Sequence, residues 1–197
     1  MSLNFPSAVA YREALDLPNL SFRDPELKGG QPERDVLQMP KVNSGNFAAV
    51  FRVDCSGGKS YAVKCFTRRV DHQLERYKAI SDALDRVGGS WKLRFEYVAD
   101  EILVDGQRWP ILKMEWVSGT TLVKYIEENL SEPQRLQKLA TQFLEVISDL
   151  EDCGLAHGDL QHGNILVTNG GIIKLVDYDG MYVPGLEAFP PSENGHR

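Results

Sequence analysis

The sequence predicts an α+β fold in which a strand-rich first half is followed by a mainly helical second half. Short runs rich in β-branched and aromatic residues recur between residues 50 and 116, which is typical of antiparallel strands. One segment within that half, and a longer segment after residue 130, carry apolar residues at helical spacing instead. We therefore expect an antiparallel five-stranded sheet with one helix, followed by a mostly helical part.

The chain begins with a mixed segment in which these patterns are weak. Ser7 to Leu17 predicts a short helix that ends at Pro18, because proline cannot continue a helix. Asp24-Pro25 and Gly29-Gly30 indicate turns. We expect irregular backbone from there to about residue 40.

The sheet is predicted from paired strand-like runs. Val50–Val53 and Tyr61–Phe66 flank a Ser-Gly-Gly-Lys segment, which is the pattern of a β-hairpin. Asp71 to Val87 changes to helical spacing and ends at a glycine pair. Two further strands are expected near Phe95–Val104 and Trp109–Trp116, joined by an Asp-Gly turn.

The second half predicts two helices and a hairpin. Thr121–Asn129 has the pattern of a short helix, and Ser131 is expected to cap a longer one. Ile165–Val167 and Ile172–Val176 are short apolar runs on either side of an Asn-Gly turn, which predicts a strand pair. Residues after Gly180 are rich in Gly, Pro and Ser and predict a loop.

Composition excludes several classes of protein. The formal net charge of -6 and the pI near 5.3 argue against a nucleic-acid partner, which requires a basic surface. The three cysteines are scattered and form no CxxC pair, which indicates reduced thiols in a cytoplasmic protein. No secretory pattern is present, and no apolar run approaches the roughly 20 residues of a membrane span.

The strongest functional signal is the run Ala156-His-Gly-Asp-Leu-Gln-His-Gly-Asn164, followed by Asp177-Tyr-Asp-Gly180. Its spacing resembles the protein-kinase catalytic loop and the metal-binding motif that follows it. The resemblance implies a two-lobed kinase-like fold that uses ATP and Mg²⁺. It also implies that Asp159 is the catalytic carboxylate, that Asn164 and Asp177 bind the metal, and that His157 is structural.

The sequences of both motifs are most similar to those of a set of bacterial serine/threonine protein-kinase-like proteins. In this resemblance, the segment that ends in Lys64 is the strand whose lysine contacts the α- and β-phosphates and assists catalysis. Residues 43–50 resemble a glycine-rich loop in which only one glycine remains. Gly45 would be its retained glycine, Phe47 would cover the phosphates, and Val50 would pack on the adenine.

The same resemblance places the rest of the nucleotide site. The segment around Met114 is similar to the kinase hinge, with Met114 behind the adenine and backbone groups of Glu115 and Val117 at its edge. Ala62 and Leu166 would enclose the ring from opposite sides.

A kinase also needs an acidic partner for the lysine on the helix that follows. Glu75 is the candidate for this position. The alternative is that Glu75 is a surface residue that pairs with Lys78 one turn later.

Three positions depart from the family pattern. Gly158 replaces the arginine that pairs with a phosphorylated activation loop, and a His-Gly-Asp sequence also occurs in aminoglycoside and choline kinase-like enzymes. Gln161 replaces a lysine that neutralises the γ-phosphate. Tyr178-Asp179 replaces Phe-Gly, and Asp179 would add a second metal-facing carboxylate or cap a turn.

The resemblance covers about residues 40 to 190 and implies three parts. Residues 1–39 would be an N-terminal extension, residues 40–116 the first lobe, and residues 117–197 the hinge and a partial second lobe. The chain ends soon after the metal motif, and we expect it to be a fragment; the alternative is that the peptide-substrate platform of kinases is absent by nature. Transfer to Ser or Thr of a protein is the function expected, and a small-molecule kinase and a nucleotide-binding pseudokinase scaffold remain the alternatives.

Overall fold

The structure is a computed structural model that describes residues 4–44 and 48–187, without the side chain of Ser44. The chain divides into two compact units. The first unit comprises Met1–Leu74 and Phe95–Trp116, and the second comprises Glu75–Arg94 and Val117–Arg197. The expected α+β class is confirmed, with antiparallel strands in both units. The domain limits expected at residues 39 and 116 stay predictions.

The first unit contains a sheet and three short helices, and it shares the start of a fourth helix with the second unit. In chain order these elements are α1 (Ala8–Leu15), α2 (Pro18–Ser21), α3 (Pro25–Lys28), β1 (Gln31–Pro32), β2 (Val42–Ser44), β3 (Ala48–Asp54), β4 (Ser60–Phe66), α4 (Gln73–Leu84), β5 (Phe95–Val104) and β6 (Gln107–Glu115).

The sheet of the first unit has six strands among the described residues, one more than expected. Its order is β1-β3-β4-β6-β5, and β2 also pairs with β3. Among these strands, β1 comes from the segment expected to be irregular, and Pro32 pairs with Val53 of β3. A proline is tolerated there because β1 lies at the edge of the sheet, where a missing N–H breaks no interior ladder.

The N-terminal helices cover one face of this sheet. Side chains alternate along a strand, and one alternate set on β3 and β4 is fully buried beneath α1, α2 and α3. The segment with these helices contributes four residues without solvent exposure to the same apolar cluster, namely Tyr11, Leu15, Phe22 and Leu27. These four residues are therefore part of the core of the first unit.

Polar contacts fasten this cover to the sheet. The hydroxyl of Tyr11 donates to the carbonyl of Phe66 at 2.8 Å. The ammonium of Lys113 on β6 binds the carboxylates of Asp24 at 2.6 Å and Glu26 at 2.9 Å. Burial of Lys113 opposes its charge, but the hydrogen bonds to Asp24 and Glu26 outweigh burial and raise its pKa to about 12.

The second unit combines helices with a small three-stranded sheet. After the rest of α4, its elements are β7 (Gly119–Thr121), α5 (Leu122–Glu128), α6 (Pro133–Asp152), β8 (Ile165–Thr168) and β9 (Ile173–Leu175). The strand order is β7-β8-β9. The side chain of Gln142 on α6 donates to the carbonyl of Gly171 at 2.8 Å, which joins α6 to the β8–β9 turn.

The start of α6 differs from the expected one. Its N-cap residue is Glu132, and Pro133 is the first helical residue, so Ser131 does not cap the helix. Proline is common at the first helical position for two reasons. An N–H at that position would have no partner within the helix, and the φ of proline is already helical. None of the helices in residues 4–44 and 48–187 combines the length and apolar character of a membrane span.

The contribution of the N-terminal cover to stability can be tested by comparing a buried residue with an exposed residue close to it in sequence. Phe22→Ala should lower the free energy of unfolding by about 3–5 kcal/mol, because it leaves a cavity at a fully buried position. Leu20→Ala is the matched control, since Leu20 is 62% exposed and its loss should cost less than about 0.5 kcal/mol. Urea unfolding followed by circular dichroism measures both, and equal small effects would show that the cover is not part of the core.

Candidate active site

Four of the residues expected to contact nucleotide lie on three strands of the first sheet. Val50 on β3 stands directly opposite Lys64 on β4, and Ala62 stands opposite Met114 on β6. Directly opposed residues project to the same side of an antiparallel sheet, and so do residues two apart along a strand. The four residues expected to contact nucleotide in these strands therefore share one face, and the N-terminal helices cover the other.

The glycine-loop residues cannot be placed in the same way. Gly45 and Phe47 lie outside the described residues. The strands on either side, β2 and β3, pair antiparallel with Asn43 opposite Val50. The roles expected of Gly45 and Phe47 stay predictions.

The hinge residues follow the end of β6. Glu115 is the last residue of that strand and is exposed. The next N–H, of Trp116, donates to the carbonyl of Ser60 at 2.9 Å. Val117 is the first residue of this stretch in the second unit, and Leu166 lies half-buried on β8. Their predicted contacts with adenine stay predictions.

Two side-chain amides hold the expected catalytic carboxylate. Asn164 donates from Nδ2 to Oδ2 of Asp159 at 2.8 Å and to its backbone carbonyl at 3.0 Å. Gln161 donates from Nε2 to the same Oδ2 at 3.0 Å. One oxygen of Asp159 thus receives two amide donors, which fixes the direction in which the other oxygen points. Gln161 replaces a lysine of the family, and its contact with Asp159 was not expected from the sequence.

His157 has the packing that was expected for a structural residue. It is 1% exposed, and its Nε2 lies 3.0 Å from the carbonyl oxygen of Val176. Since a carbonyl can only accept, the ring carries a proton on Nε2. Its ring also meets the ring of Tyr178 edge-on, with centroids 5.8 Å apart. Burial lowers the pKa of His157, so the neutral ring is favoured.

Asp177 occupies an unusual backbone conformation next to this histidine. Its φ of 62° and ψ of 72° lie in the left-handed region. Such residues cost about 1–3 kcal/mol when they are not glycine, and they concentrate at active sites. The N–H of Val176 donates to the carbonyl of Asn164 at 3.0 Å, so the backbones that carry the two expected metal ligands are joined.

The donor chemistry of these two residues fits Mg²⁺. Both hydrogen bonds from the Asn164 side chain use its amide nitrogen, which leaves the amide oxygen as a ligand. Asp177 contributes a carboxylate. Mg²⁺ typically binds through one or two carboxylates together with phosphate oxygens and water, so this pair suits a nucleotide-bound ion.

Gly158 has a steric reason to replace arginine. Its φ is +78°, and a Cβ at this position would lie 2.0 Å from the carbonyl oxygen of Gly180. No side chain fits there without backbone movement. Beside this contact the two segments are joined, because Ala156 and Tyr182 exchange backbone hydrogen bonds of 3.1 and 2.7 Å.

Both residues that replace Phe-Gly in the metal motif have polar partners. The N–H of Leu93 donates to the hydroxyl of Tyr178 at 2.9 Å. The hydroxyl of Tyr77 on α4 donates to Oδ1 of Asp179. Neither partner could be found from sequence, because Tyr77 and Asp179 are 102 residues apart.

Glu75 lies on the exposed side of α4. The buried residues of this helix are Tyr77, Ile80 and Leu84. The surface partner considered for Glu75, Lys78, instead pairs with Asp82 at 3.1 Å. A role for Glu75 beside Lys64 therefore stays a prediction.

Comparison with known families identifies the fold that carries this site. The family model described as the protein kinase domain matches residues 37–181. The chain belongs to the protein kinase domain family. The match includes every residue named above for the nucleotide and the metal, and it begins after the helices of the N-terminal cover.

Several curated relatives of this kinase domain are serine/threonine-protein kinases by name. CST20 of Candida albicans is 24% identical over 149 residues, which are 76% of this chain and 12% of the relative. Cds1 of Schizosaccharomyces pombe is 28% identical over 141 residues, 70% of this chain and 31% of the relative. "Probable serine/threonine-protein kinase PknB" of Bifidobacterium longum is 31% identical over 161 residues, 77% and 23% respectively. The chain spans less than a third of each relative's length.

The tight contact at Gly158 predicts a large effect from one methyl group. Gly158→Ala should lower the free energy of unfolding by at least about 1–3 kcal/mol, because the new Cβ meets the Gly180 carbonyl and the φ is positive. Gly163→Ala is the control in the same loop, where a Cβ meets nothing within 4 Å. Thermal and urea unfolding compare them, and an equally stable Gly158→Ala protein would contradict the described loop geometry.

The buried ring of His157 predicts a pH dependence of stability. Because the folded-state pKa is below the ordinary value of 6.5, the unfolded chain binds this proton at higher pH than the folded chain. Stability should therefore fall as pH drops below about 6.5, by up to about 1.4 kcal/mol per pH unit. His157→Gln should flatten this slope between pH 5 and 7, whereas His162→Gln, at an exposed position, should not. Urea unfolding at a series of pH values is the measurement, and parallel slopes for all three proteins would contradict the assignment.

Proposed function

We propose that this protein is an ATP- and Mg²⁺-dependent kinase that transfers the γ-phosphate to a Ser or Thr hydroxyl of a protein. The observation that carries the proposal is the arrangement around Asp159. Its carboxylate is held by Asn164 and Gln161, and the Asn164 backbone is bonded to the residue before Asp177. Membership of the protein kinase domain family supports the same chemistry.

Asp159 would act on the acceptor hydroxyl. Phosphoryl transfer needs little covalent chemistry from the protein and depends on positioning and charge stabilisation. The two amides that bind Oδ2 restrict rotation of the carboxylate, so Oδ1 is the oxygen left to accept the hydroxyl proton. Because Gln161 is neutral, the loop lacks one positive charge that related kinases place near the γ-phosphate.

Asn164 and Asp177 would hold the metal. When bound, Mg²⁺ would neutralise negative charge on the β- and γ-phosphates. Asn164 would have two roles, because its amide nitrogen donates to Asp159 and its amide oxygen would bind the ion. The left-handed backbone at Asp177 would direct its carboxylate, at a cost in strain that the bonds on both sides of the residue offset.

The face of the first sheet opposite the N-terminal helices would bind the nucleotide. Lys64 would contact the α- and β-phosphates, while Val50, Ala62 and Met114 on the same face would contact the adenine. The further residues proposed here are Gly45 and Phe47 over the phosphates, Glu115 and Val117 at the adenine edge, Leu166 beneath the ring, and Glu75 beside Lys64.

A protein acceptor is favoured over a small molecule. The relatives described above are named serine/threonine-protein kinases. The His157-Gly158-Asp159 sequence that suggested a small-molecule enzyme has a local explanation, since the Gly180 carbonyl leaves no room for a Cβ at residue 158. That glycine therefore does not require a small acceptor.

The mechanism predicts that replacing Asp159 stops phosphate transfer without preventing MgATP binding. Asp159→Asn should keep its thermal stabilisation by MgATP and lose transfer of labelled phosphate by about 10²-fold or more, because the proton acceptor is removed. Asp152→Asn is the control, since this exposed acid lies at the end of α6. A Ser/Thr peptide library, an aminoglycoside and choline are tested as separate acceptors.

Each outcome bears on a different part of the proposal. Equal transfer by Asp159→Asn and the unmodified protein would contradict the catalytic assignment. MgATP binding without transfer to any acceptor would favour a pseudokinase scaffold. Labelling of the aminoglycoside or choline alone would overturn the protein acceptor and retain the kinase mechanism.

A further inference from the structure

The segment Glu75–Arg94 contacts the metal motif through the two residues that depart from the kinase pattern. Tyr178 supplies a hydroxyl where the family has phenylalanine, and Asp179 supplies a carboxylate where it has glycine. Each new group has a partner on that segment, Leu93 for Tyr178 and Tyr77 for Asp179. A Phe-Gly pair could form neither hydrogen bond.

The contact of Tyr178 with Leu93 is buried, and the contact of Tyr77 with Asp179 is partly buried. Tyr178 is fully buried, and the N–H of Leu93 donates to its hydroxyl at 2.9 Å. Tyr77 is 5% exposed and lies on the buried side of α4 with Ile80 and Leu84. Hydrogen bonds to a charged group are stronger than neutral ones, and a buried group that loses its partner is costly. The two contacts hold α4 and the connection that follows it at separate points.

We propose that Tyr77, Tyr178 and Asp179 form a polar latch that holds α4 on the metal motif and keeps Asp177 in its left-handed conformation. A strained residue persists only where its surroundings determine it from several directions. On one side of Asp177, the backbone of Val176 is bonded to His157 and Asn164. On the other side, the latch holds Tyr178 and Asp179.

The latch gives this kinase domain a way to order its metal motif without phosphorylation. In protein kinases the helix after the lysine strand and the metal aspartate must both be in place, and phosphorylation of the activation loop commonly controls them. Here one residue of α4 and one residue of the motif bond directly. The latch rests on the proposed function for its kinetic consequence, and its structural part stands independently.

The competing role for Asp179 is that of a second metal ligand. The latch requires an acceptor oxygen at this position, which asparagine also provides. A carboxylate that binds the metal would instead lose part of its metal affinity in the asparagine variant, because Mg²⁺ favours charged carboxylate ligands. Asp179→Asn and Asp179→Gly therefore distinguish the two roles, because only the glycine variant removes the acceptor.

The first measurement is amide hydrogen exchange in residues 75–84 of the protein without nucleotide. Tyr77→Phe and Asp179→Gly should each speed exchange in this part of α4 by about tenfold, because each removes the same hydrogen bond. The double variant should be no faster than Asp179→Gly. Tyr178→Phe should speed exchange near Leu93. Tyr182→Phe is the control, since its exposed hydroxyl binds Glu187 outside the latch.

The second measurement is steady-state transfer at varied Mg²⁺ and ATP. Tyr77→Phe and Asp179→Gly should raise the KM for MgATP several-fold and change kcat less at saturating metal, while Asp179→Asn should stay within about twofold of the unmodified protein. Loss of metal affinity in Asp179→Asn equal to that in Asp179→Gly would overturn the latch in favour of a metal ligand.

The latch and the proposed function can be contradicted independently. Unchanged exchange in Tyr77→Phe would overturn the latch even if the protein transfers phosphate normally. Faster exchange in a protein that transfers no phosphate would support the latch and contradict the proposed function.

Discussion

The close approach of Gly158 to the Gly180 backbone constrains the whole second half of the candidate site. It brings the loop with Asp159 and the segment after Asp177 to a distance that no side chain at residue 158 would allow. The bonds from Val176 to His157 and Asn164 then join the same two segments again. The proposed catalytic carboxylate and both proposed metal ligands consequently stand on one hydrogen-bonded backbone assembly, which is the preorganisation that electrostatic catalysis would need.

The two faces of the first sheet carry different sets of residues. Residues that precede the kinase family match fill one face with apolar side chains. The other face carries Lys64 and its neighbours. The face proposed to bind nucleotide also contributes to the core, since Leu112 and Met114 on β6 are buried there.

Sequence reasoning succeeded where the determinants are local. Strand alternation and the Asp105-Gly106 turn predicted the β5–β6 pair, and helical spacing predicted α4 and α6. It was incomplete where packing decides. The helices α2 and α3 have only four residues each, too few to show a period, and β1 pairs through a proline at an edge. The contacts of Asp179 with Tyr77 and of Gly158 with Gly180 depend on the fold, since the two residues of each pair are far apart in the chain.

The central claim is that Asn164 and Asp177 hold a nucleotide-bound metal next to Asp159. The most direct test replaces Mg²⁺ by paramagnetic Mn²⁺ with a non-hydrolysable ATP analogue and records which NMR signals broaden. The account predicts the strongest broadening for the side-chain amide of Asn164 and the backbone amides of residues 159–164 and 176–179. Broadening confined to other parts of the chain, or none at saturating analogue, would contradict it.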